Sequence, residues 1–399
     1  MNDDESRIES RISQVAAMIK RIRIQNYKSL RDVTVDLDPV TVLIGRSGTG
    51  KSNVVNAIRF LRDYLTQRSD QFVSDRGGWG GLVCATASQL QVAFAVEFEV
   101  PGVQGGFAYR LVFALDSRFG RAVLRGEALN LAQQLIFSHE GGKWQQPPGM
   151  AAPPLPNGLM LGVLYGIPEV KIAHLALTKG IGCYDFPSDV LSTESSPQYG
   201  PPGAANGLTD SADNYLAAFD AIANNLSELP TMREMHAALR KLNTSVNTVE
   251  LETLQRSHII VGHKVADAKV LSFKLVQESE GFRRFLAHLI ALYQVPPKQT
   301  LVFEEPEKGI FPGALSVLAE YFRSCADRGR SQIILTTHSP QLLSHFPPEQ
   351  IRVVEMDQYE TKIGPVSKEQ LEALKDQLLT TEELLTVDTA RLDRTPAQG

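Results

Sequence analysis

The chain has 399 residues, of which 43% are hydrophobic and 21% charged. This composition argues against a disordered or fibrous chain, and the length suits two domains or one large domain with an insertion. The formal net charge of −5 excludes a basic field over the whole molecule, so any contact with nucleic acid would need a local basic patch. Three scattered cysteines, Cys84, Cys183 and Cys325, argue against a disulfide framework or a CxxC zinc site.

A cytoplasmic location without a membrane partner is predicted. No apolar run approaches the ~18–20 residues that a membrane helix needs. The first residues, Met1–Glu5, are polar and acidic, unlike a secretory signal. The scattered cysteines also fit a reducing compartment.

The beginning of the chain predicts a polar extension followed by three strands. Residues 1–17 are polar, and we expect them to form a frayed extension. Apolar and polar residues alternate around Ile22 and again over Val33–Leu37, which predicts two antiparallel strands joined by a turn at Asn26–Arg31. Val40–Ile44 is apolar at four of its five positions, so it predicts a strand that is buried on both faces.

The middle of the chain predicts further strands, two loops and a helical region. Alternating apolar residues over 89–130 predict strands. Pro147–Gly158 and Ser195–Gly207 have the composition of loops. Apolar residues at intervals of three and four predict helices over Tyr215–Leu229 and Met232–Leu242. No internal repeat and no coiled-coil arm is predicted.

The remaining part predicts two more buried strands, at Leu301–Phe303 and Gln332–Leu335, with helices around them. A charged tail follows from Ser367 and starts as a helix. These changes divide the chain into an extension at 1–17, two parts of one α/β domain at 18–130 and 265–365, an insertion or helical lobe at 131–264, and a tail at 366–399.

A glycine-rich loop lies between the strand Val40–Ile44 and a predicted helix. It matches G-x-x-x-x-G-K-[ST] and consists of Gly45, Arg46, Ser47, Gly48, Thr49, Gly50, Lys51 and Ser52. Glycines let backbone N–H groups close around phosphates, and the positive end of the following helix dipole points at them. Lys51 would add a cation for the β- and γ-phosphate oxygens, and Ser52 a hydroxyl ligand for Mg²⁺. The strand before the loop and the helix after it disfavour an incidental glycine turn.

The strand Leu301–Phe303 leads into two carboxylates, Glu304 and Glu305. A nucleotide hydrolase needs one carboxylate to hold Mg²⁺ through water and a second to orient or deprotonate the attacking water. We assign Glu304 to the first role and Glu305 to the second. Adjacent strand residues point to opposite sides, so the pair must lie where the backbone starts to turn, as Pro306 favours. Taken alone, the pair is equally compatible with two solvated carboxylates.

The strand Gln332–Leu335 is followed by His338. If this strand lies beside the acidic strand, both C-terminal ends meet at the nucleotide, and His338 can hydrogen-bond the γ-phosphate. An isolated histidine after a strand is more often structural. The phosphate loop and the paired carboxylates on the same chain favour a functional role here.

A helix start is predicted at Glu278–Ala287. Ser279 can cap the helix, and Gly281 keeps the backbone accessible. By itself the pattern predicts only a capped helix. Its position shortly before the acidic strand is what suggests a function.

The order of the phosphate loop, the capped helix, the carboxylates and the histidine resembles the SMC/RecF-type branch of the ABC ATPases. The chain looks closest to short AAA family ATPases related to RecF and to the OLD ATPase domain. The resemblance implies an α/β fold, namely an ABC-type P-loop NTPase head with a mixed or antiparallel β lobe and a helical insertion lobe. The matching segments are Ile24–Leu30, Gly45 to Asn53, Ser279-Glu280-Gly281-Phe282-Arg283-Arg284, Glu304-Glu305-Pro306-Glu307-Lys308-Gly309-Ile310-Phe311-Pro312 and Thr336-Thr337-His338-Ser339-Pro340.

The chain departs from the family pattern at three places. Phe311 replaces a histidine, and Phe282 replaces a small polar residue beside the signature glycine. The glutamine that follows the early strands cannot be placed, although Gln89 and Gln91 are candidates. Residues 131–264 match only weakly, and no OLD-type nuclease domain is expected after residue 355.

The resemblance implies a homodimer that closes on ATP. Each ATP, with Mg²⁺, would lie between Gly45–Asn53 of one subunit and the signature residues Ser279 and Gly281 of the other. Hydrolysis would then remove the γ-phosphate that bridges the subunits, and the dimer would open. The output of such a clamp is a conformational change.

Two roles for the clamp remain open. The first is DNA repair, genome maintenance or bacteriophage defence with contact to DNA. The second is a regulatory ATPase subunit that holds and releases a toxin or nuclease effector without binding DNA. A transport subunit is disfavoured because no Leu-Ser-Gly-Gly-Gln segment is present, and a P-loop kinase because it would leave His338 without a role. Basic residues that DNA could use are Arg233, Arg240 and Lys241, which equally suit a solvated helix face, and Arg21, Arg23, Lys28 and Arg31.

Overall fold

The computed structural model describes most of the chain. The described residues are 18–67, 73, 76–116, 121–141, 143–145, 159–192, 207–225, 229–252, 258–266 and 269–393. The predicted extension at 1–17, the loop Pro147–Gly158 and nearly all of the loop Ser195–Gly207 lie outside these residues, as does the end of the tail.

The secondary structure alternates between sheets and helices along the chain. The strands are β1 (Met18–Tyr27), β2 (Leu30–Asp36), β3 (Val40–Ile44), β4 (Gln91–Glu99), β5 (Phe107–Asp116), β6 (Arg121–Leu131), β7 (Gln134–Glu140), β8 (Lys143–Gln145), β9 (Ile181–Tyr184), β10 (Val246–Glu252), β11 (His258–Lys264), β12 (Val270–Lys274), β13 (Thr300–Glu304), β14 (Gln332–Thr336), β15 (Ile351–Asp357) and β16 (Glu360–Pro365). The helices are α1 (Lys51–Gln67), α2 (Gly78–Leu82), α3 (Met160–Val163), α4 (Pro168–Leu177), α5 (Tyr215–Ala223), α6 (Leu229–Leu242), α7 (Glu280–Tyr293), α8 (Pro312–Asp327), α9 (Pro340–Leu343), α10 (Lys368–Lys375) and α11 (Glu383–Thr386).

An antiparallel sheet contains most of the strands from the first part of the chain. Its order is β2-β1-β4-β5-β6-β7-β8. The predicted antiparallel pair is confirmed, since Ile22 lies opposite Val35, but the turn is shorter than expected because β1 runs on to Tyr27. The alternating apolar side chains of β4 are all buried, as the period of two requires.

The central sheet carries the phosphate loop. Its order is β16-β15-β3-β14-β13-β9, and all neighbouring pairs except β15–β16 are parallel. Every residue of β3 is buried, as predicted for Val40–Ile44. Because parallel strands align their carboxyl ends at one edge, the segments that follow β3, β14 and β13 emerge side by side.

The part between 131 and 264 is only partly helical. Helices α5 and α6 lie where helices were predicted, although α5 ends at Ala223 and α6 begins at Leu229. The same part also contributes β7 and β8 to the antiparallel sheet and β9 to the central sheet. A three-stranded sheet, β10-β11-β12, connects it to α7. Short strands without a regular pattern were the elements that the sequence did not reveal.

Two hydrophobic cores lie on opposite faces of the central sheet. Alternate residues of β13 show this, since Leu301 and Phe303 belong to the core with α7 and α8, whereas Val302 belongs to the core with α1 and the antiparallel sheet. Among the described residues, no helix is both long and apolar enough to span a membrane.

Candidate active site at the edge of the central sheet

The phosphate loop joins β3 directly to α1. Gly45, Gly48 and Gly50 have φ angles of 154°, 80° and 103°. A Cβ at Gly45 would collide with the carbonyl oxygen of Val354, and a Cβ at Gly50 with the hydroxyl of Thr361. The loop therefore needs glycine at these two positions both for its backbone conformation and for its close packing.

Lys51 is held inside the loop. Its Nζ donates hydrogen bonds to the carbonyl oxygens of Gly45, at 2.7 Å, and Arg46, at 3.0 Å. The side chain is buried, and burial lowers the pKa of its ammonium group. The negative charges of Glu305, Glu307 and Glu304 oppose this shift by raising the pKa of Lys51.

Strand register brings the three predicted segments together. Glu304 lies opposite Thr336 on β14, and Thr336 lies opposite Leu43 on β3. The chain remains aligned past the strand ends, because the Thr337 N–H donates to the Leu43 carbonyl at 3.2 Å. The structure thus brings the acidic strand, His338 and the phosphate loop to one edge.

Glu305 lies at the turn after β13, as predicted. Its φ is +47°, and its N–H donates to both the carbonyl and the hydroxyl oxygen of Thr336 at 3.1 Å. Its Oε1 lies 3.9 Å from Nε2 of His338, and its Oε2 lies 3.3 Å from Nζ of Lys308. The left-handed backbone of Glu305 ends the strand, so the two neighbouring glutamates need not point to opposite faces of the sheet.

Glu307 was part of the acidic motif but received no role from the sequence. Its Oε1 accepts hydrogen bonds from the Thr337 hydroxyl and from the His338 N–H, both at 2.8 Å. Its Oε2 is buried and has no hydrogen-bond partner among the described residues. Glu307 therefore positions the backbone of His338 and leaves one buried acceptor at the site.

Two family models and one curated relative match parts of this chain. Residues 185–344 match the family described as "AAA domain, putative AbiEii toxin, Type IV TA system", and residues 18–98 match the family described as "AAA ATPase domain". An OLD nuclease from Thermus scotoductus is 23% identical over 367 residues, which cover 85% of this chain and 62% of that protein. The chain thus spans less than two thirds of this relative.

Solved SMC heads have the same fold. The SMC head bound to the C-winged helix domain of ScpA has a TM-score of 0.56 at 15% identity, covering 88% of this chain and 99% of that one. An SMC head with an extended coiled coil, bound to the C-terminal domain of ScpA derived from Pyrococcus furiosus, has a TM-score of 0.55 at 14% identity and covers 91% and 99%. The resemblance to SMC/RecF/OLD-like ABC ATPases is confirmed.

The segment predicted to be the signature, Ser279–Gly281, lies at the N-terminus of α7. Ser279 caps the helix as predicted, since its Oγ accepts from the Phe282 N–H at 3.3 Å. Gly281 packs against the Gly309 carbonyl, and a Cβ there would lie 2.9 Å from that oxygen. The signature segment therefore abuts the turn that follows the acidic strand.

The departures from the family pattern differ in burial. Phe282 is buried and belongs to the core on the α7 side of the central sheet, so this apolar substitution fills space inside the subunit. Phe311 is 74% exposed beside the signature segment. The structure connects neither Gln89 nor Gln91 to the described part of the phosphate loop by a hydrogen bond. Gln91 starts β4, and its carbonyl accepts from the Asn26 side chain at 2.8 Å.

The residues present suit a nucleoside triphosphate with Mg²⁺. The glycine loop and the buried Lys51 ammonium form a cradle for phosphate, and Ser52 is exposed at the start of α1. The described residues contain no cluster of three or more acidic, histidine or cysteine ligands. Mg²⁺ in nucleotide sites takes one or two protein ligands besides waters and phosphates, which Ser52 and Glu304 can provide.

Polar residues from distant segments hold the phosphate loop through a chain of hydrogen bonds. The Asn53 amide donates to Ser29 Oγ at 2.7 Å, and Ser29 Oγ is 2.6 Å from the Thr361 hydroxyl. Thr361 in turn donates to the Thr49 carbonyl at 2.9 Å. Asn53 and Ser29 belong to segments that the sequence singled out, but Thr361 carried no recognisable signal because it lies in an ordinary strand.

Proposed function

We propose that this protein binds and hydrolyses ATP with Mg²⁺ and acts as an ATP-gated homodimeric clamp. The observation that supports this function is the alignment of the phosphate loop, Glu304, Glu305 and His338 at one edge of the central sheet. Hydrolysis of a phosphoanhydride needs this arrangement, because cationic groups and carboxylates must surround the same terminal phosphate.

Each side chain has a separate task in this proposal. Lys51 and the loop N–H groups bind the phosphates, whereas Ser52 and Glu304 hold Mg²⁺. Glu305 orients the attacking water and accepts its proton, and His338 hydrogen-bonds the terminal phosphate. Bound ATP–Mg²⁺ supplies the bond that is cleaved and the positive charge that offsets the phosphates.

The location of the signature segment supports a composite site between two subunits. Ser279–Gly281 contacts the turn at Gly309 of its own subunit, and its polar groups face away from the core, since Ser279 and Glu280 are exposed. An exposed helix N-terminus offers unpaired N–H groups to an anion. A second copy carrying ATP would use these groups.

The biological process that we propose is DNA repair, genome maintenance or bacteriophage defence. The similarity to an OLD nuclease supports a link to nucleic acid. However, Arg21 forms an ion pair with Asp36, and Arg23 with Asp32, so these basic residues are already neutralised. This pairing, with the family description that names a toxin system, favours the second candidate: an ATPase subunit that holds and releases a toxin or nuclease effector.

The first experiment is sedimentation of the Glu305→Gln protein with and without ATP–Mg²⁺, beside the wild type. We expect this variant to bind ATP but not hydrolyse it, so that an ATP-dependent dimer accumulates, while wild-type dimers turn over. Radiolabelled phosphate release should fall by about a hundredfold or more, the size of a lost general-base contribution.

Glu349→Gln provides the matched control, because Glu349 is exposed and lies after α9, away from the carboxylates that follow β13. It should sediment and hydrolyse like the wild type. A Glu305→Gln protein with the same sedimentation coefficient in the presence and absence of ATP would contradict the clamp. If the ATP-dependent dimer does accumulate, retention of DNA or of a co-expressed effector by this dimer would distinguish the two biological roles.

A further inference from the structure

The hairpin between β15 and β16 has an aromatic residue at its tip. Tyr359 is 84% exposed. Its φ is +66°, and that of Gln358 is +47°, so both residues of the two-residue turn have left-handed backbones. Such turns favour Asn-Gly, and a glutamine–tyrosine pair adopts this conformation at a cost in backbone energy. An exposed aromatic side chain held in a costly turn calls for a functional explanation.

This hairpin is fixed to the phosphate loop. Thr361, two residues after the tip, is fully buried, and its hydroxyl donates to the Thr49 carbonyl at 2.9 Å. Its N–H donates to the Ser29 carbonyl at 2.8 Å. Gly50 lacks a Cβ where Thr361 packs against it. The tip therefore has a defined position relative to the loop.

The order of strands gives the direction of a bound nucleotide. Glu304 ends β13 and Glu305 follows it, on one side of β3, whereas the hairpin β15–β16 lies on the other side of β3. The terminal phosphate belongs with the carboxylates and Lys51. A nucleoside on the opposite side of the loop would lie toward Asn53 and the hairpin, which Ser29 connects by hydrogen bonds.

We propose that Tyr359 stacks on the base of bound ATP and is a binding residue of the nucleotide site. This inference rests on the proposed ATP binding and adds to it the group that recognises the nucleoside. Tyr27, at the end of the first hairpin strand, is buried and packs against Phe60 and Phe94, so its ring offers no exposed face to a ligand. Tyr359 provides an exposed π surface on the nucleoside side of the loop.

The test compares ATP with inorganic tripolyphosphate, which has the phosphates but no base. Dissociation constants are measured by isothermal titration calorimetry with Mg²⁺ for the wild type, Tyr359→Ala and Tyr359→Phe. Tyr359→Ala should weaken ATP binding by about fivefold or more, because stacking of a base on an aromatic ring is worth at least that factor. Its tripolyphosphate affinity should stay within about twofold of wild type, and Tyr359→Phe should retain ATP affinity.

Tyr165→Ala is the matched control, since Tyr165 is partly exposed but packs against His174 beside α4. It should bind both ligands as the wild type does. Unchanged ATP affinity in Tyr359→Ala, or an equal loss of affinity for ATP and tripolyphosphate, would overturn the inference about Tyr359. Neither result would contradict ATP binding by the wild type. A wild type that binds neither ligand would instead refute the proposed function, and the inference with it.

Discussion

At the scale of single residues, the backbone at Glu305 explains how two adjacent glutamates can serve one site. In a continuing strand their side chains would point to opposite faces. The left-handed φ of Glu305 ends the strand, and two hydrogen bonds to Thr336 hold the turn in place. The sequence predicted that the pair must lie at a strand end, because Pro306 follows, but it contained no information on the hand of the turn.

Lys298 lies in a buried ionic cluster away from the phosphate loop. Its Nζ donates to the Leu208 carbonyl at 2.6 Å and lies 5.4 Å from the centre of the Tyr184 ring. Burial lowers the pKa of Lys298 from its ordinary value of 10.5 to about 8. The unfolded chain therefore binds more protons than the folded one between pH 8 and 10.5, and the stability contributed by this group rises with pH.

This difference predicts the pH dependence of unfolding. Between pH 7.5 and 9.5 the wild type should gain roughly 2 kcal/mol of unfolding free energy relative to Lys298→Met, which has no titrating group there. Urea unfolding at the two pH values measures the change. Lys179→Met removes an exposed lysine, so the pH dependence of its unfolding free energy should equal that of the wild type. If the free energy of unfolding changed equally with pH in the wild type and in Lys298→Met, the lowered pKa of Lys298 would be refuted.

Residues of the candidate site differed in how predictable they were. Gly45–Ser52 could be identified because the loop is local in sequence and each position has its own chemical requirement. Glu307 and Thr361 could not be given roles, because their function depends on partners from other strands. Long-range pairing is a property of the folded sheet, and composition does not encode it.

At the scale of elements, the small sheet β10-β11-β12 is connected to the signature segment by one histidine. His263 on β11 pairs with Glu278 through Nε2 and Oε1 at 2.8 Å, and its Nδ1 lies 2.7 Å from the hydroxyl of Ser245. Glu278 directly precedes the capping residue Ser279. The position of the signature helix thus depends on a contact with β11.

Loss of this contact should loosen the proposed dimer without affecting ATP binding to a single subunit. In a Glu305→Gln background, His263→Ala should raise the dimer dissociation constant by about five- to tenfold, since it removes a hydrogen bond to a charged group. Analytical ultracentrifugation over a concentration series gives this constant. Lys264→Ala, an exposed change on the same strand, should leave it unaltered. Equal dissociation constants for both variants would exclude this role of His263.

Element types were predictable where the apolar pattern was long and regular. The alternation of β4 and the buried run of β3 predicted strands correctly. Strand β9, with four residues, carries no alternation because all of its residues are buried, so it escaped notice although it forms an edge of the central sheet. Residues 131–264 looked mainly helical because strands as short as β8 and β9 contain too few residues to show a pattern.

At the scale of the whole molecule, a bidentate ion pair joins the two hydrophobic cores. Arg62 on α1 donates to both oxygens of Asp210 at 2.7 Å. Burial alone would raise the pKa of Asp210, but the hydrogen bond and the charge of Arg62 lower it. The segment around Asp210 packs in one core through Leu208, whereas α1 packs in the other. The pair therefore couples α1 to the opposite side of the sheet.

Removal of one charge should show this coupling. Asp210→Asn should lower the free energy of unfolding by roughly 2–3 kcal/mol, because the mostly buried Arg62 then loses its bidentate partner and keeps only Asp63 as a counter-charge. Urea unfolding followed by circular dichroism and by tryptophan fluorescence would measure the loss. Asp213→Asn changes an exposed acid in the same segment and should have little effect. Equal stability of the two variants would mean that the ion pair adds nothing to the connection of the cores.

The hydrogen bond from Thr361 to Thr49 spans 312 positions of sequence. A ribosome completes the phosphate loop long before it adds the residue that holds this loop in place. The growing chain would therefore carry a loop that lacks its support, and tight capture of nucleotide would begin only after β16 has paired with β15. ATP in the surrounding solution would then stabilise molecules that have completed this pairing over those that have not, and would act as a selection for correctly finished chains.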